Sequence, residues 1–335
     1  MSSYQAILVR QVDGRCEARL EDLPREELPP GDVLIEVEYS SLNYKDALAV
    51  TGRGKILRKF PLVPGIDLAG RVVESDAAQF KPGDEVLVTG WGLGETRHGG
   101  FAQLARVSSD WVVPMPDGLT AYPAMAMGTA GLTAMLSVMA LEDLGLTKDR
   151  GQIVVTGAGG GVGGISVLLL AELGYPVAVV TGRTDETDYF TQLGAEAILP
   201  REELTSAAEK PLASERWGGG IDTVGGPMLA GLLAGLKRGA SVACCGLAGG
   251  HELHTTVFPF ILRGAALLGI DSAECPQSRR IAAWRRLAET FPWEKMELLV
   301  GVAPRSQVAL ADVIDASEQL LAGKIRGRTV VRVSD

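Results

Sequence analysis

The stretch IVVTGAGGGVGGISVLLLAELG, residues 153–174, decides the fold. Its first four residues predict a buried strand, a glycine-rich turn follows, and Val162–Leu173 predicts an apolar helix. Gly159, Gly161 and Gly164 fit the G-x-G-x-x-G spacing, in which backbone N–H groups at a helix start bind a pyrophosphate. The pattern predicts a dinucleotide-binding turn. The alternative is an ordinary tight turn in which glycine serves packing.

Short apolar strands alternate with helices around this stretch, which is typical of a parallel sheet covered on both faces. The predicted strands are Gln152–Thr156, Val177–Thr181, Ala197–Leu199, Ile221–Val224, Ser241–Cys245 and Ala266–Ile270. The predicted helices are Ala121–Leu141, Val162–Leu173, Asp185–Leu193 and Met228–Leu236. We therefore expect an α/β domain with a doubly wound parallel sheet.

The chain before residue 125 has a different rhythm, with short strands separated by Pro/Gly/Asp clusters, which predicts a barrel-like β domain. The predicted strands are Ala6–Val9, Val33–Tyr39, Leu68–Glu74, Glu85–Thr89, Phe101–Val107 and Trp111–Val113. The last part of the chain predicts two helices and a strand, at Ser278–Thr290, Ala311–Ala322 and Thr329–Val333.

Composition excludes several classes of protein. The 335 residues are 46% hydrophobic and 22% charged, which argues against a disordered or fibrous chain. The net charge of −9 disfavours general binding to nucleic acids or anionic membranes. Four cysteines are too few for a disulfide framework, and the first residues lack an export signal. We expect a soluble, cytoplasmic protein of two domains.

The end of the second parallel strand indicates which dinucleotide binds. Sites that prefer NAD place a carboxylate there, about 20 residues after the glycines. This chain reads PVAVVTGRTDE at 176–186, so Thr181 and Gly182 are followed by Arg183. A guanidinium is a bidentate partner for a 2′-phosphate. The prediction is NADPH; the alternative is that Arg183 is a solvated loop residue.

Several segments in order resemble the medium-chain dehydrogenase/reductase superfamily over nearly the whole chain. They are PPGDVLIEVEYSSLNYKD (29–46), PLVPGIDLAGRVV (61–73), FKPGDEVLVTG (80–90), GGFAQLARV (99–107), the turn at 158–163 and KRGASVACCG (237–246). The resemblance implies a GroES-like β-barrel catalytic domain formed by both chain ends, at 1–125 and 273–335. A Rossmann NADPH-binding domain at 126–272 is inserted between them.

Zinc-dependent members of this superfamily carry a Cys near Asn43 and a Gly-His-Glu in the region of Asp67, and this sequence has neither. No pair of its cysteines has C-x-x-C spacing, and His251 and His254 lack the pattern of a zinc helix. We expect those histidines on a surface loop and predict no metal.

The remaining, zinc-free branch contains quinone-oxidoreductase-like proteins and enoyl reductases. LNYKD, PGIDLAG, TGR with Asp188-Tyr189, and LGAEAILPREEL resemble the acryloyl-CoA reductase group most. The resemblance implies NADPH-dependent reduction of the activated C=C bond of an enoyl thioester, acryloyl-CoA to propionyl-CoA. Two alternatives stay open: an NADPH:quinone or alkenal/enone oxidoreductase, and a non-catalytic NADPH-binding protein.

The resemblance also implies the site residues. Asn43 and Tyr44 would face the nicotinamide, with Tyr44 contacting the cofactor or donating toward a developing oxyanion. Lys45 and Asp46 are expected in local salt bridges. The expected cofactor contacts are Tyr44, Gly159, Gly160, Gly161, Val162, Thr181, Gly182, Arg183, Arg201, Leu247, Ile261 and Ser272.

Two further expectations concern substrate and assembly. The run TGRGKILRKFP places Arg53, Lys55, Arg58 and Lys59 close together, which favours the phosphates of coenzyme A; the alternative is a solvated basic loop. The adjacent Cys244 and Cys245 are expected to behave as buried apolar residues rather than as a redox pair. An exposed apolar strand edge invites pairing, so Ala266–Ile270 is predicted to join two copies in a homodimer.

Overall fold

The computed structural model describes residues 3–301 and 307–334. Nine elements form the chain up to residue 143. They are β1 (Ser3–Val12), β2 (Arg15–Pro24), β3 (Val33–Leu42), α1 (Tyr44–Thr51), β4 (Asp67–Ser75), β5 (Glu85–Thr89), β6 (Leu104–Val107), β7 (Val113–Pro114) and α2 (Ala121–Asp143).

Strands and helices then alternate. They are β8 (Ile153–Thr156), α3 (Gly161–Glu172), β9 (Val177–Thr181), α4 (Thr187–Gln192), β10 (Ala197–Pro200), α5 (Glu202–Thr205), β11 (Gly219–Asp222), α6 (Gly226–Ala234), β12 (Ser241–Cys244), α7 (Phe258–Arg263) and β13 (Ala266–Gly269). The last elements are α8 (Gln277–Thr290), α9 (Met296–Val300), β14 (Gln307–Ala309), α10 (Val313–Leu321) and β15 (Thr329–Arg332).

The six strands of the alternating region form one parallel sheet in the order β10-β9-β8-β11-β12-β13. Every residue of β8 and β9 is buried, as expected for strands covered by helices on both faces. The chain runs outward from β8 in one direction and from β11 in the other. Ligands of such sheets bind where the order reverses, at the carboxyl ends of the strands.

The other sheet has seven strands in the order β14-β15-β3-β4-β5-β7, with β6 also paired to β3, and all of these pairs except β14 with β15 are antiparallel. β1 and β2 form a separate hairpin. A buried apolar core that includes Ile7, Ile35 and Leu68 lies beneath these strands. The predicted fold class, an α/β protein with a β domain and a doubly wound sheet, is confirmed.

Contacts between residues divide the chain into two compact units. The first contains residues 1–129, 273–288 and 300–335, and the second contains 130–272 and 289–299. Residues 126–129 and 289–299 therefore fall in different units from those that the predicted domain boundaries gave them. The domain boundaries themselves stay a prediction.

Helix α2 is long and apolar enough to cross a membrane, but 83% of its most apolar 18-residue window is buried in protein. The helix is also interrupted at Gly128, whose φ of 51° and ψ of −151° are not helical. A Cβ at this position would lie 2.6 Å from the Asp67 Oδ2. Glycine is required here by both its dihedral angles and its neighbours.

Several predicted elements need correction. β2 was not predicted, although Asp13 and Gly14, with φ of 48° and 77°, form the tight turn that joins it to β1. The predicted strand at 101–107 begins at Leu104, and the one predicted at 111–113 begins only at Val113, because Trp111 ends a turn of 3-10 helix at Ser109–Trp111. The helix predicted from 185 begins at Thr187.

Candidate functional site

The glycine-rich turn lies between β8 and α3 at the carboxyl edge of the parallel sheet. Gly160 precedes the helix in extended conformation, with no side chain capping the helix. The first four N–H groups of a helix have no acceptor within it, and the dipole favours an anion there. The structure thus places Gly159, Gly160, Gly161 and Val162 at a helix start whose N–H groups are suited to bind a phosphate, and the contact with a cofactor stays a prediction.

A buried carboxylate that the sequence reasoning missed fixes this turn. Asp222, at the end of β11, is fully buried and accepts hydrogen bonds from the Thr156 hydroxyl at 2.7 Å and the Gly225 N–H at 2.8 Å. Thr223 adds two bonds to Thr156, through its own N–H and its hydroxyl. Burial raises the pKa of Asp222, and the two bonds that it accepts oppose that rise. The sequence signal that could have identified Asp222 is an acidic residue at the end of a predicted buried strand.

Gly157 opens the turn, and its φ of 64° favours glycine. A Cβ there would lie 2.3 Å from the Thr223 hydroxyl oxygen. The hydrogen bonds of Asp222 and the close approach of Thr223 to Gly157 together restrain the conformation of the turn.

Two arginines follow the neighbouring strands β9 and β10. Arg183 follows β9, its N–H bonds the Thr181 hydroxyl at 3.0 Å, and its Cδ would lie 3.5 Å from a Cβ placed on Gly159. Arg201 follows β10 and packs its guanidinium on Gly182, where a Cβ would lie 2.7 Å from the Arg201 Cζ. Arg183 thus lies beside the turn and Arg201 lies beside the residue that follows β9, and a guanidinium is a suitable partner for a 2′-phosphate.

Arg183 already has an anionic partner. Its Nη1 lies 3.3 Å from the Glu186 Oε1, and the two side chains are 35% and 25% exposed. Glu186 was expected to begin the next helix; it precedes α4 and bonds back to Arg183 instead.

Three more predicted cofactor residues, Leu247, Ile261 and Ser272, lie outside the glycine turn and the β9 end. Leu247 is 68% exposed in the loop after β12, near Gly225, at the same edge as the glycine turn. Ser272 accepts a hydrogen bond from the Thr133 hydroxyl at 2.7 Å. Ile261 is 68% exposed on α7 and makes no hydrogen bond that joins it to the turn. Contacts of these residues with a cofactor stay predictions.

Tyr44 and Asn43 lie in the first compact unit, at the start of α1. Tyr44 is the first residue of the helix and is 59% exposed, and its hydroxyl makes no hydrogen bond with any residue in the described ranges. It is therefore available to a ligand, unlike a packed aromatic whose hydroxyl is tied to backbone. Asn43 precedes the helix, and its side chain points into the protein.

The Asn43 amide is held by three charged side chains. Its Nδ2 donates to the Asp67 Oδ2 at 2.8 Å and to the Asp46 Oδ2 at 2.9 Å. Its Oδ1 accepts from the Arg328 Nη1 at 3.0 Å. Ser41 also bonds the Asp67 carboxylate and the Asn43 amide. These contacts indicate a positioning role for Asn43; the predicted contact with substrate stays a prediction.

The structure corrects the expectation that Asp46 forms a local salt bridge. Instead of a salt bridge, it makes a helix cap: it is the third residue of α1 and accepts the N–H of Asn43 and of Ile66, each at 2.9 Å. Burial, and then the neighbouring Asp67 carboxylate, raise the pKa of Asp46 to about 7. Lys45 does form the expected local salt bridge, with Glu95 at 2.8 Å.

The basic segment at 53–59 is exposed but is not one cluster of four charges. Arg53 pairs with Glu318 on α10 and is removed from the group. Lys55, Arg58 and Lys59 have no ion pair with any residue of the described chain. Glu95 ties the segment to the start of α1, because its carbonyl accepts the Arg58 N–H at 2.9 Å while its carboxylate binds Lys45.

The cysteines and histidines do not form reactive centres in the described residues. Burial and the nearby Asp222 raise the pKa of the Cys245 thiol to about 12, which makes it a poor nucleophile. His254 is exposed and contacts Glu252. Within 3–301 and 307–334, no group of three His, Cys, Asp or Glu side chains could hold a metal ion.

Comparison with known proteins agrees with this geometry. Residues 29–117 match the model of the alcohol dehydrogenase GroES-like domain, and residues 161–289 match that of the zinc-binding dehydrogenases. The chain is 49% identical to acrylyl-CoA reductase AcuI of Ruegeria pomeroyi over 96% of each chain. It is 43% identical to YhfP of Bacillus subtilis, named as a quinone oxidoreductase, over 98% of this chain and 99% of YhfP.

A solved structure is similar over the same extent. The crystal structure of the yhdH oxidoreductase from Salmonella enterica in complex with NADP superposes with a TM-score of 0.95, at 48% identity over 98% of this chain and 100% of that one. Fold, glycine turn and family models together define a medium-chain dehydrogenase/reductase. Within that superfamily, the chain belongs to the zinc-free group that contains the acrylyl-CoA reductases.

The name of one matched family implies zinc, and the residues present do not fit it. Asn43 and Asp67 lie at the positions where the resemblance places zinc ligands. The Asn43 Nδ2 donates to the Asp67 carboxylate, and the Asn43 Oδ1 accepts from the Arg328 guanidinium, whose charge also interacts with Asp67. An amide and a guanidinium are not zinc ligands. No step proposed below involves a metal.

Proposed function

We propose that the protein uses NADPH to reduce the C=C bond of an enoyl thioester, with acrylyl-CoA as substrate and propionyl-CoA as product. One observation carries the proposal. Arg183 lies beside the glycine turn and Arg201 lies on Gly182, in a chain that is 49% identical, over nearly its full length, to an acrylyl-CoA reductase. The arginines favour NADPH over NADH, because only NADPH carries a 2′-phosphate.

The cofactor supplies the hydride, which the β-carbon of a double bond conjugated to a thioester carbonyl accepts. The resulting enolate then takes a proton from solvent at its α-carbon, which gives the saturated thioester. The first turn of α3 would bind the pyrophosphate, and Arg183 and Arg201 the 2′-phosphate. The free hydroxyl of Tyr44 would donate a hydrogen bond to the thioester oxygen, where negative charge develops. Removing a single hydrogen-bond donor of this kind to a developing oxyanion lowers kcat by about 10²–10³-fold.

The basic segment supports a coenzyme A substrate. Lys55, Arg58 and Lys59 are exposed cations without ion pairs in the described chain, and Glu95 fixes their loop next to the residue that follows Tyr44. Coenzyme A carries a 3′-phosphate and a pyrophosphate, whereas a quinone has no anionic group to place there. Because Arg53 is engaged by Glu318, we assign the other three cations to substrate binding.

The test is oxidation of NADPH in the presence of acrylyl-CoA, crotonyl-CoA or a benzoquinone. Acrylyl-CoA should be turned over with the highest kcat/KM. Charge reversal in Arg58→Glu/Lys59→Glu should raise the KM for acrylyl-CoA, in a salt-dependent way, and leave the reduction of an uncharged enone unchanged. Arg53→Glu is the matched control and should have the smaller effect on KM. Equal losses for both substrates, or faster turnover of quinone, would contradict the thioester proposal.

The second candidate is an NADPH:quinone oxidoreductase. It is favoured by the 43% identity to the Bacillus subtilis protein that carries this name. The same assay separates the two candidates. A protein that bound NADPH and reduced none of the acceptors would instead support the non-catalytic alternative.

We also propose that the protein is a cytoplasmic homodimer. β13 is an edge strand of the six-stranded sheet, pairs only with β12 in the described chain and is preceded by exposed apolar residues on α7, among them Phe258 and Leu262. Such an edge is a liability unless another strand pairs with it. A second copy presenting its own β13 would continue the sheet.

A further inference from the structure

Three charged side chains are buried around Asn43. Asp46, Asp67 and Arg328 are exposed by 1%, 0% and 4% respectively. We call these three residues with Asn43 the buried charge cluster. It contains two carboxylates and one guanidinium, and burying charges is costly unless they are paired and hydrogen-bonded. A buried cluster of charges contributes little to the free energy of folding. Its effect is instead to fix the position of Asn43, to which its members are hydrogen-bonded.

Asn43 is the residue on which the cluster converges. The Arg328 Nη1 donates to its Oδ1 at 3.0 Å, and its Nδ2 donates to both carboxylates. Asp46 also accepts its backbone N–H at 2.9 Å. Side chain and backbone of Asn43 are thus fixed together, and the next residue is Tyr44, the first of α1.

The cluster is itself fixed by the interruption of α2. The Arg328 Nε donates to the Ala126 carbonyl at 2.9 Å, at the end of the first helical segment. Asp67 accepts the Thr129 N–H at 3.0 Å, at the start of the second. A cation at a helix carboxyl end and an anion at an amino end are both favourable. Gly128 lies between the two helical segments. A Cβ at this position would lie 2.6 Å from the Asp67 Oδ2 and 3.1 Å from the Arg328 Nη2, so a side chain there would displace both charged groups.

We propose that Arg328 and Asp67 are positioning residues for the reduction. They hold Asn43 rigidly at the start of α1 and thereby fix the backbone from which the Tyr44 side chain extends, with Arg328 supplying the buried positive charge. This inference rests on the proposed role of Tyr44. It goes further by assigning a function to residues that contact neither cofactor nor substrate.

The test is a double-mutant cycle with Tyr44→Phe and Arg328→Lys. Lysine keeps the charge but cannot donate to both Asn43 and Ala126 with the planar geometry of a guanidinium. Loss of a charge-assisted hydrogen bond of this kind corresponds to roughly tenfold or more. We expect Arg328→Lys to lower kcat about tenfold, with the Kd of NADPH unchanged. In the Tyr44→Phe background, Arg328→Lys should cause no further loss.

Arg280→Lys is the matched control. Arg280 is also fully buried in the first unit and binds the Thr89 and Ala273 carbonyls, but it has no hydrogen bond to Asn43. This variant should lower Tm and leave kcat unchanged below Tm. If Arg328→Lys does not fold, Asn43→Ala makes the same test, since it cuts the link to α1 while Asp67 and Arg328 keep their contacts with α2.

The inference would be overturned by losses that multiply in the double variant, or by a folded Arg328→Lys or Asn43→Ala protein with wild-type kcat. A Tyr44→Phe protein with unchanged kcat would also overturn it. A wild-type protein that reduced quinone but not acrylyl-CoA would refute the proposed substrate instead. The cycle would then be measured with quinone, so the two failures are distinguishable.

Discussion

Replacing Arg183 by alanine should weaken the binding of NADPH and leave that of NADH nearly unchanged. Arg183 is beside Gly159 of the phosphate-binding turn, and the group that it would meet, the 2′-phosphate, is absent from NADH. A hydrogen bond to a charged group contributes about 1.5–3 kcal/mol. Because the side chain is 35% exposed, the lower limit applies, which is about tenfold in Kd.

Glu186 adds to this effect. In Arg183→Ala its carboxylate loses the partner 3.3 Å away and remains next to the site of the phosphate. The double variant Arg183→Ala/Glu186→Gln should therefore bind NADPH more tightly than Arg183→Ala does. Glu186→Gln alone should bind NADPH at least as well as the wild type, because Arg183 is then released from its pair.

The measurement is the Kd of each variant for NADPH and NADH, from fluorescence titrations at one ionic strength. Arg201→Ala serves as the comparison, since its guanidinium lies on Gly182 on the other side of the same strand end. Equal losses for NADPH and NADH in Arg183→Ala would refute the reasoning. Such a result would mean that Arg183 supports the turn rather than the phosphate.

Three further predictions concern the buried carboxylate, metal and assembly. The pKa of Asp46 is raised to about 7, above that of an unfolded chain, so the native state holds its proton at higher pH. Stability from this group should be present below pH 4 and be lost as pH rises towards 7 and above, because burial and then the facing Asp67 carboxylate raise the pKa of Asp46. Asp46→Asn should remove that part of the slope of Tm against pH, and an unchanged slope would contradict it. Prolonged treatment with a chelator should leave activity unchanged, whereas stoichiometric, tightly bound zinc in the purified protein would refute the zinc-free prediction. In sizing experiments at micromolar concentration the protein should be a dimer, and replacing Leu267 on β13 by proline should make it a monomer, while a wild-type monomer would overturn pairing through β13.

The parts of the site that are local in sequence could be predicted from it. β8, the glycines and α3 are consecutive, and the Thr181 to Arg183 segment follows the next strand, so strand-end chemistry was visible without knowing the fold. Arg201 was found only through the family resemblance. Its packing on Gly182 is a contact between neighbouring parallel strands, which periodicity alone does not give.

The residues around Asn43 could not be predicted because their contacts are long-range. Asp67, Thr129 and Arg328 are each an ordinary polar residue in the sequence, and only the fold places them together. The exception is Asp46, three residues after Asn43, a spacing typical of a helix cap. Reading it as a salt bridge was wrong, since its hydrogen bonds come from N–H groups.

Charge runs were also less informative than they looked. Arg53 belongs to the basic segment by sequence but pairs with Glu318, far along the chain. β2 was missed because its charged residues resemble a solvated loop, although its Asp-Gly turn is a hairpin signal. A pattern of charges shows which groups are present and not which partners they meet.

The pairing of β15 with β3 has a consequence for synthesis of the chain. Thr329 lies opposite Leu42, so the seven-stranded sheet stays incomplete until residues 329–332 have left the ribosome. The six-stranded sheet uses only strands between residues 153 and 269 and can close earlier. Long-range pairings form late, because the intervening loop must be closed first. The seven-stranded sheet, whose first strand is made before any strand of the six-stranded sheet, is therefore finished after it.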